Sequence, residues 1–173
     1  MREINPSDAE NGGTHIVIAV DGSSSSLEAV RYGIQLVQAG LLAHITLLHV
    51  QEPASLLELA THDADAIAEA AIEAGEHLMA PAIELLERVG VDYTTEVTLG
   101  APGTVLPEMA EQLRADMLIV GARGISAIQR ALMGSVSQAV LNRSTLPVVV
   151  VKARASAQDV LDESPGSNDL SEQ

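Results

Sequence analysis

Short runs of aliphatic and β-branched residues alternate along the chain with longer segments of helical periodicity, and this alternation restricts the fold more than any other feature. Such alternation is typical of βαβ units, which place parallel strands in one sheet with helices on both faces. The prediction is therefore an α/β, doubly wound domain of three layers. The predicted strands are residues 15–20, 45–50, 92–99, 117–120 and 148–151, and the predicted helices are about 25–39, 64–88, 104–114 and 135–142.

Local signals refine these boundaries. Pro81 lies inside the second predicted helix, where a proline removes a backbone hydrogen bond and is expected to kink or split the helix. Thr104 is the expected N-cap of the third helix, which would place Pro107 in the tolerated first turn. Residues 1–13 and 154–173 lack apolar periodicity and are expected to be disordered tails, the second of them acidic, leaving one domain over 14–153.

Composition excludes several classes of protein. Hydrophobic residues make up 47% of the 173 residues, with two Tyr and no Phe or Trp, so the core must be aliphatic. A net charge of −15 and the lack of stacking aromatics argue against nucleic acid as a partner. The absence of Cys excludes disulfides and thiolate metal sites. Without an apolar run of ~18 residues or a signal-like N-terminus, we expect no membrane association and a soluble, cytoplasmic protein.

Charge is distributed unevenly along the chain. Residues 52–96 carry eleven acidic residues and one basic residue, which is the ordinary pattern of a solvated helix face. Residues 117–154 carry five basic residues and no acidic one. A small anion would be repelled by the first region and attracted by the second.

The fold class also predicts where a ligand would bind. In doubly wound sheets, ligands lie beyond the carboxyl ends of the strands, where the strand order reverses. The residues that close the first four predicted strands are therefore the first candidates, namely Asp21, Val50, Gly100 and Gly121.

The loop after the fourth strand has the features of a phosphate-binding site. Gly121 and Gly124 permit turns and a close approach of the backbone to a ligand. Gly134 and Ser135 open the next helix, whose free N–H groups favour an anion. Side chains that add donors here are Arg123, Arg130, Ser135 and Ser137. The alternative is an ordinary loop that uses glycine for its turns and serine as a helix cap.

Two common nucleotide motifs are absent from this loop and its surroundings. No Gly-Lys-Ser/Thr occurs, so this is not a Walker A loop. No Gly-x-Gly-x-x-Gly follows the first strand, so the dinucleotide fingerprint is missing as well.

The spacing Gly121-x2-Gly124-x9-Gly134-Ser135 resembles the signature of the universal stress protein family. The likeness extends over residues 14–152, nearly the whole predicted domain. Further segments that fit the family are Val20-Asp21-Gly22-Ser23, Leu47-Leu48-His49-Val50, Gly100-Ala101-Pro102, residues 116–121 and residues 146–151. The chain departs from the pattern at Ala19, where many ATP-binding relatives have Pro, and at Ala101, where Asp is common.

The resemblance implies a Rossmann-like fold with strand order 3-2-1-4-5 and an ATP-binding site, with AMP and ADP as alternative ligands. By the same resemblance, Asp21 would bind the ribose and Val50 would meet the adenine edge through its backbone. Mg²⁺, if present, would bridge phosphate oxygens rather than occupy a protein site. The phosphates would be held by Gly121, Gly124, Gly134, Ser135 and Val136, with Arg123 and Ser137 nearby, and the adenine by an aliphatic slot of Ala19, Val20 and Val120.

Other candidate sites have simpler interpretations. His49 is expected to be a hydrogen-bonded core histidine rather than a catalyst. His62, Asp63 and Asp65 resemble a metal site but fit a loop and helix start better, since acidic residues favour a helix N-terminus. No catalytic residue is assigned.

The fifth strand, with Val148, Val149, Val150 and Val151, would lie at the sheet edge in the implied order. An apolar edge needs a cover, and relatives pair this strand with its copy, so we expect a homodimer.

Three functions remain open at this point. The first is a nucleotide-dependent stress-response or regulatory module, with an unidentified regulatory protein partner and at most slow hydrolysis. The second is an enzyme, either a slow ATPase or a nucleotidyl transferase, although residues 117–154 offer no general base. The third is a nucleotide-free structural dimer that acts through protein contacts.

Overall fold

The computed structural model describes residues 13–52, 64–124 and 133–153. The expected tails were residues 1–13 and 154–173; all of their residues except Gly13 lie outside the described residues, as do His62, Asp63 and Arg130. The strands are β1 (Thr14–Ala19), β2 (Ala43–Gln51), β3 (Tyr93–Leu99), β4 (Met117–Gly121) and β5 (Val148–Val151). The helices are α1 (Ser24–Gln38), α2 (Ala64–Val89), α3 (Pro102–Gln112) and α4 (Ser135–Arg143).

The strands form one parallel sheet in the order β3-β2-β1-β4-β5, which confirms the predicted fold class and topology. The order reverses between β1 and β4, where Ile18 pairs with Ile119. The carboxyl ends of these two strands therefore meet at the switch point, where such folds bind ligands.

The core is aliphatic and lies on both faces of the sheet, because alternate strand residues point to opposite sides. Ile16 and Ile18 pack on one face with residues of α1 and α2, while Val17 packs on the other with residues of α3 and α4. All three side chains are fully buried. This double covering explains why the strands read as continuous apolar runs.

One predicted helix start is wrong. Thr104 is not the N-cap of α3: Ala101 caps the helix without a side-chain hydrogen bond, and Pro102 is its first residue. The fixed φ of proline suits a first helical position, which outweighs the capping preference of threonine two residues later. The N–H of Thr104 donates to the Ala101 carbonyl (2.9 Å), as it does inside a helical turn.

Pro81 does not split α2, which runs without a break over 26 residues. Pro81 itself is exposed, whereas Met79, Ala82 and Leu86 on either side are buried in the core. Burial of this apolar face offsets the hydrogen bond that proline removes. No helix within the described residues is long and apolar enough to cross a membrane.

Candidate functional site

A cleft opens at the carboxyl ends of β1, β2 and β4, between α1, α3 and α4. Its empty volume, most of it continuous with the open mouth, is about 550 Å³. It is lined by Ala19, Val20, Asp21, Ser26, Leu48, Val50, Pro102, Leu106, Val120, Gly121, Arg123, Gly124, Val136 and Ser137. Most residues proposed from the sequence therefore lie together, although their role in binding stays a prediction.

Gly121 ends β4 at a point where the backbone of α1 crosses very close to it. A Cβ at this position would lie 2.7 Å from the carbonyl carbon of Ser25 and 2.8 Å from the N of Ser26. These are backbone atoms, which cannot rotate away as a side chain would. Glycine at 121 therefore lets the N-terminus of α1 approach the end of β4.

Gly124 makes a comparable contact with the acidic residue of the cleft. A Cβ at 124 would lie 2.7 Å from Oδ2 of Asp21. Asp21 Oδ1 accepts a hydrogen bond from the Ser23 N–H at 3.0 Å, so one carboxylate oxygen is held by α1 and the other faces the glycine loop.

Serine hydroxyls connect the glycine loop to both neighbouring helices. Ser23, the N-cap of α1, accepts from the Ser26 N–H (3.1 Å) and donates to the Arg123 carbonyl (3.3 Å). Ser137 in α4 is buried and donates to the Gly121 carbonyl at 2.7 Å. These bonds order the loop from two sides. The Ala122 N–H is used by the Val151 carbonyl, whereas the N–H groups of Arg123 and Gly124 have no acceptor among the described residues.

The N-terminus of α4 lies against the loop, and its first two residues, Gly134 and Ser135, do not line the cleft. Gly134, its N-cap, makes no side-chain cap bond and donates its N–H to the Ala122 carbonyl at 2.7 Å. A Cβ at 134 would lie 3.5 Å from the Cα of Arg123, an ordinary contact. Ser135 and Val136 are exposed at the first turn, and Val136 reaches the cleft. Two helix N-termini, those of α1 and α4, thus converge on one loop and favour an anion there.

Four residues that line the cleft were not predicted from the sequence as site residues: Ser26, Leu48, Pro102 and Leu106. Leu48 precedes Val50 by two and therefore shares its face, a signal that strand periodicity did contain. Pro102 and Leu106 enter from α3, and their position depends on how that helix crosses the sheet. The buried side chains of Leu48, Val50 and Leu106 make this part of the cleft aliphatic.

His49 lies beside the cleft but does not line it. Its ring is 4% exposed, with Nδ1 2.7 Å from the Val20 carbonyl and Nε2 3.1 Å from Oε1 of Gln51. A carbonyl oxygen only accepts, so Nδ1 carries the hydrogen. Among the residues whose side chains the structure describes, which do not include Asp65, no group of three His, Cys, Asp or Glu is placed to hold a metal ion.

A parallel sheet of order 3-2-1-4-5 with a glycine-lined cleft at its switch point defines a single-domain, Rossmann-like α/β protein. The family model described as "Universal stress protein family" matches residues 13–152. The chain belongs to the universal stress protein family.

Individual relatives agree with this assignment. Universal stress protein MJ0531 of Methanocaldococcus jannaschii is 31% identical over 144 residues, which cover 83% of this chain and 84% of that protein. A universal stress protein solved in complex with cAMP is 30% identical, with a TM-score of 0.60 over 82% of this chain and 98% of the other. The structure of hypothetical protein MJ0577 superposes with a TM-score of 0.71 at 24% identity, over 83% and 98% of the two chains, and shows the likeness of fold.

Proposed function

We propose that the cleft binds an adenine nucleotide, with ATP as the preferred ligand. The observation that carries this proposal is the convergence of two helix N-termini on a loop whose glycines, Gly121 and Gly124, have no room for a side chain. Such a loop presents backbone donors to an anion. The relative solved with cAMP supports an adenine-containing ligand.

The cleft has an apolar part, a carboxylate and a positively charged part, which correspond to the base, the ribose and the phosphates of a nucleotide. Leu48, Val50 and Leu106 offer an apolar surface to a base, which burial would favour. Asp21 offers carboxylate oxygens to ribose hydroxyls, and Arg123 brings positive charge beside the glycine loop. Mg²⁺ would enter with the phosphates.

We further propose a stress-response or regulatory module with at most slow hydrolysis. Among the described residues that line the cleft, Asp21 is the one carboxylate, and the proposal assigns it to the ribose hydroxyls, away from the phosphates. A general base must be free to take a proton from the attacking water. Fast turnover of ATP by the purified protein would therefore contradict this part of the proposal.

Binding is tested directly by mass spectrometry of the nucleotide released on denaturation, followed by calorimetric titration with ATP, AMP and cAMP. The diagnostic variant is Gly124→Ala, because its Cβ would press against Oδ2 of Asp21. We expect its ATP affinity to fall at least about tenfold, since displacement of Asp21 and the loop removes several charge-assisted hydrogen bonds.

Gly13→Ala is the matched control, because a Cβ there meets the Leu42 carbonyl at 3.4 Å and lies at the opposite end of β1 from the cleft. It should bind ATP like the native protein. A native protein that binds none of the three nucleotides, while its fold is intact, would refute the proposal and favour a structural role.

We also propose a homodimer formed through β5. This strand has β4 on one side and ends the described sheet on the other, and its four valines are each partly exposed. The N–H of Leu118 bonds to the Pro147 carbonyl and that of Ala122 to the Val151 carbonyl. Because inward and outward groups alternate along a strand, the N–H of Val150 points outward.

Val150→Pro tests the dimer, since it removes one outward donor and leaves the bonds to β4 in place. We expect sedimentation to show a dimer for the native protein and a monomer for this variant. Val149→Pro is the contrasting variant, because it removes an inward donor and should lower stability instead. A native protein that sediments as a monomer at high concentration would contradict the proposal.

A further inference from the structure

The ring of His49 donates a hydrogen bond to the Val20 carbonyl, which would otherwise accept a bond from β2 within the sheet. Within the ladder of β1 and β2 the register ends at the pair Ala19 and Leu48, and the Val20 N–H donates to the Leu48 carbonyl at 2.9 Å. In the parallel pattern, the next bond would run from the Val50 N–H to the Val20 carbonyl. That bond is not formed, and the Val20 carbonyl instead accepts from Nδ1 of His49 at 2.7 Å.

The unused donor lies at the cleft. Even-numbered residues of β2 turn their backbone groups towards β1, and Val50 is a cleft-lining residue, 8% exposed. Within the described parts of the chain, the Val50 N–H has no backbone acceptor. A buried N–H without a partner costs free energy, so its retention needs a reason.

The surroundings of His49 hold its ring in this position. Because Nδ1 carries the hydrogen, Nε2 accepts, and the side-chain amide of Gln51, 3.1 Å away, supplies the donor when its NH2 group faces the ring. On the other side α2 carries Gly75, where a Cβ would lie 2.7 Å from Cδ2 of His49 and 2.8 Å from Cγ1 of Val97. The ring therefore fills a space that any larger residue at 75 would take away.

We propose that His49 is a positioning residue: by capturing the Val20 carbonyl it keeps the Val50 N–H free to donate to an acceptor nitrogen on the edge of a purine base. The proposal rests on nucleotide binding at the cleft and on the backbone contact between Val50 and the adenine edge that the family resemblance implies. What it adds is the part that His49 plays in leaving that N–H free. Adenine presents an acceptor at N1, whereas hypoxanthine carries a hydrogen there. A free Val50 N–H therefore discriminates between the two bases.

Amide hydrogen exchange of the unliganded protein, followed by NMR, tests the structural half of the proposal without any ligand. The Val50 amide should exchange much faster than that of Leu48, which lies inside the ladder. In His49→Leu, which removes the ring donor, the Val20 carbonyl is released and the Val50 amide should become protected at least about tenfold. His49→Asn, whose amide nitrogen can donate from nearly the position of Nδ1, should keep fast exchange.

Nucleotide titration tests the functional half. The native protein should prefer ATP to ITP by about tenfold. The Val50 N–H donates to N1 of adenine, whereas N1 of hypoxanthine carries a hydrogen and cannot accept. His49→Leu should lose most of this preference and bind ATP about tenfold more weakly, with unchanged affinity for ribose 5-phosphate, and His49→Asn should restore the preference.

The two measurements separate the possible failures. If the native protein binds no nucleotide, the proposed function fails, and the exchange of Val50 still decides whether His49 frees its N–H. Equal protection of Val50 and Leu48 in the native protein would overturn the proposal. An unchanged preference for ATP over ITP in His49→Leu would also overturn it.

Discussion

The starts and the ends of the parallel strands, here called the amino edge and the carboxyl edge of the sheet, satisfy their hydrogen-bonding groups in different ways. At the amino edge, where the strands begin, five side chains of or beside β1, β2 and β3 bond one another in a chain. His15 Nδ1 lies 3.0 Å from the Leu113 carbonyl and its Nε2 2.8 Å from Oγ1 of Thr46, which lies 2.9 Å from Oγ1 of Thr94. His44 continues from Thr94 (3.1 Å) to Oδ2 of Asp92 (3.0 Å).

At the carboxyl edge, where the strands end, backbone groups and glycines replace such a chain. The loop between Gly121 and Gly124 is held by hydroxyls that bond to its carbonyls, not to its N–H groups. The amino edge is therefore satisfied from within, whereas the carboxyl edge retains donors that a ligand would complete. The amino edge thus contributes to stability through its own side chains, and the carboxyl edge is where we propose that a ligand binds.

The largest effect on stability is expected from Gly121→Ala at the carboxyl edge. Its Cβ would meet backbone atoms of α1 at 2.7 and 2.8 Å, so the helix and strand must move apart. We expect a loss of about 3 kcal/mol in the free energy of unfolding, the upper part of the range for overpacking. Urea denaturation measures it, with Gly13→Ala, at the amino edge, as the control.

Comparable stability of Gly121→Ala and Gly13→Ala would show that the two edges tolerate a methyl group equally. It would also show that α1 is not held tightly against β4, which would weaken the argument for a rigid cleft.

A smaller loss is expected from Thr46→Val at the amino edge. Thr46 is 2% exposed, and its hydroxyl joins His15 to Thr94. Valine keeps the shape and removes the hydroxyl, leaving buried groups without a partner, which costs about 2 kcal/mol. Thr95→Val on the exposed face of β3 is the matched control and should change stability by less than about 0.5 kcal/mol. Equal effects in chemical denaturation would mean that the chain of hydrogen bonds contributes nothing.

The sequence allowed the architecture to be predicted, because local patterns carry it. The run at Ile16, Val17 and Ile18 is apolar at every position, as a strand covered on both faces requires. The strand ends then located Asp21 and Gly121 at one edge of the sheet. The strand order came from the family resemblance, and the structure confirms it.

The remaining features depend on how distant segments meet. His15 and His44 become neighbours only through the register of β1 and β2, which places them opposite one another. Leu106 enters the cleft because of the crossing of α3 over the sheet, which no periodicity encodes. The start of α3 at Pro102 was not predicted because two signals compete there. Threonine is a favoured N-cap residue and alanine is not, yet the helix begins after Ala101, with proline as its first residue.

The smallest expected effect is a dependence of stability on pH that arises at the amino edge. Burial lowers the pKa of His15 below its ordinary value of 6.5, and the neighbouring His44 lowers it further, with ring centroids 5.5 Å apart. The Leu113 carbonyl and Asp116 act in the opposite direction and are outweighed. The folded protein therefore resists a proton that the unfolded chain accepts.

The sign of this dependence follows from proton linkage. Between the folded-state pKa of His15 and 6.5, the unfolded chain binds more protons than the folded protein, so stability rises with pH. The contribution of neutral His15 is complete above 6.5 and is lost as the pH falls through the folded-state pKa. Comparing the native protein with His15→Gln cancels the titration of the many carboxylates, which both share. We expect the native protein's advantage over His15→Gln in urea denaturation to shrink from about pH 8 to about pH 5. An advantage that stays constant or grows on acidification would show that the folded protein accepts a proton on His15 as readily as the unfolded chain does. The hydrogen bonds of His15 would then not oppose its protonation.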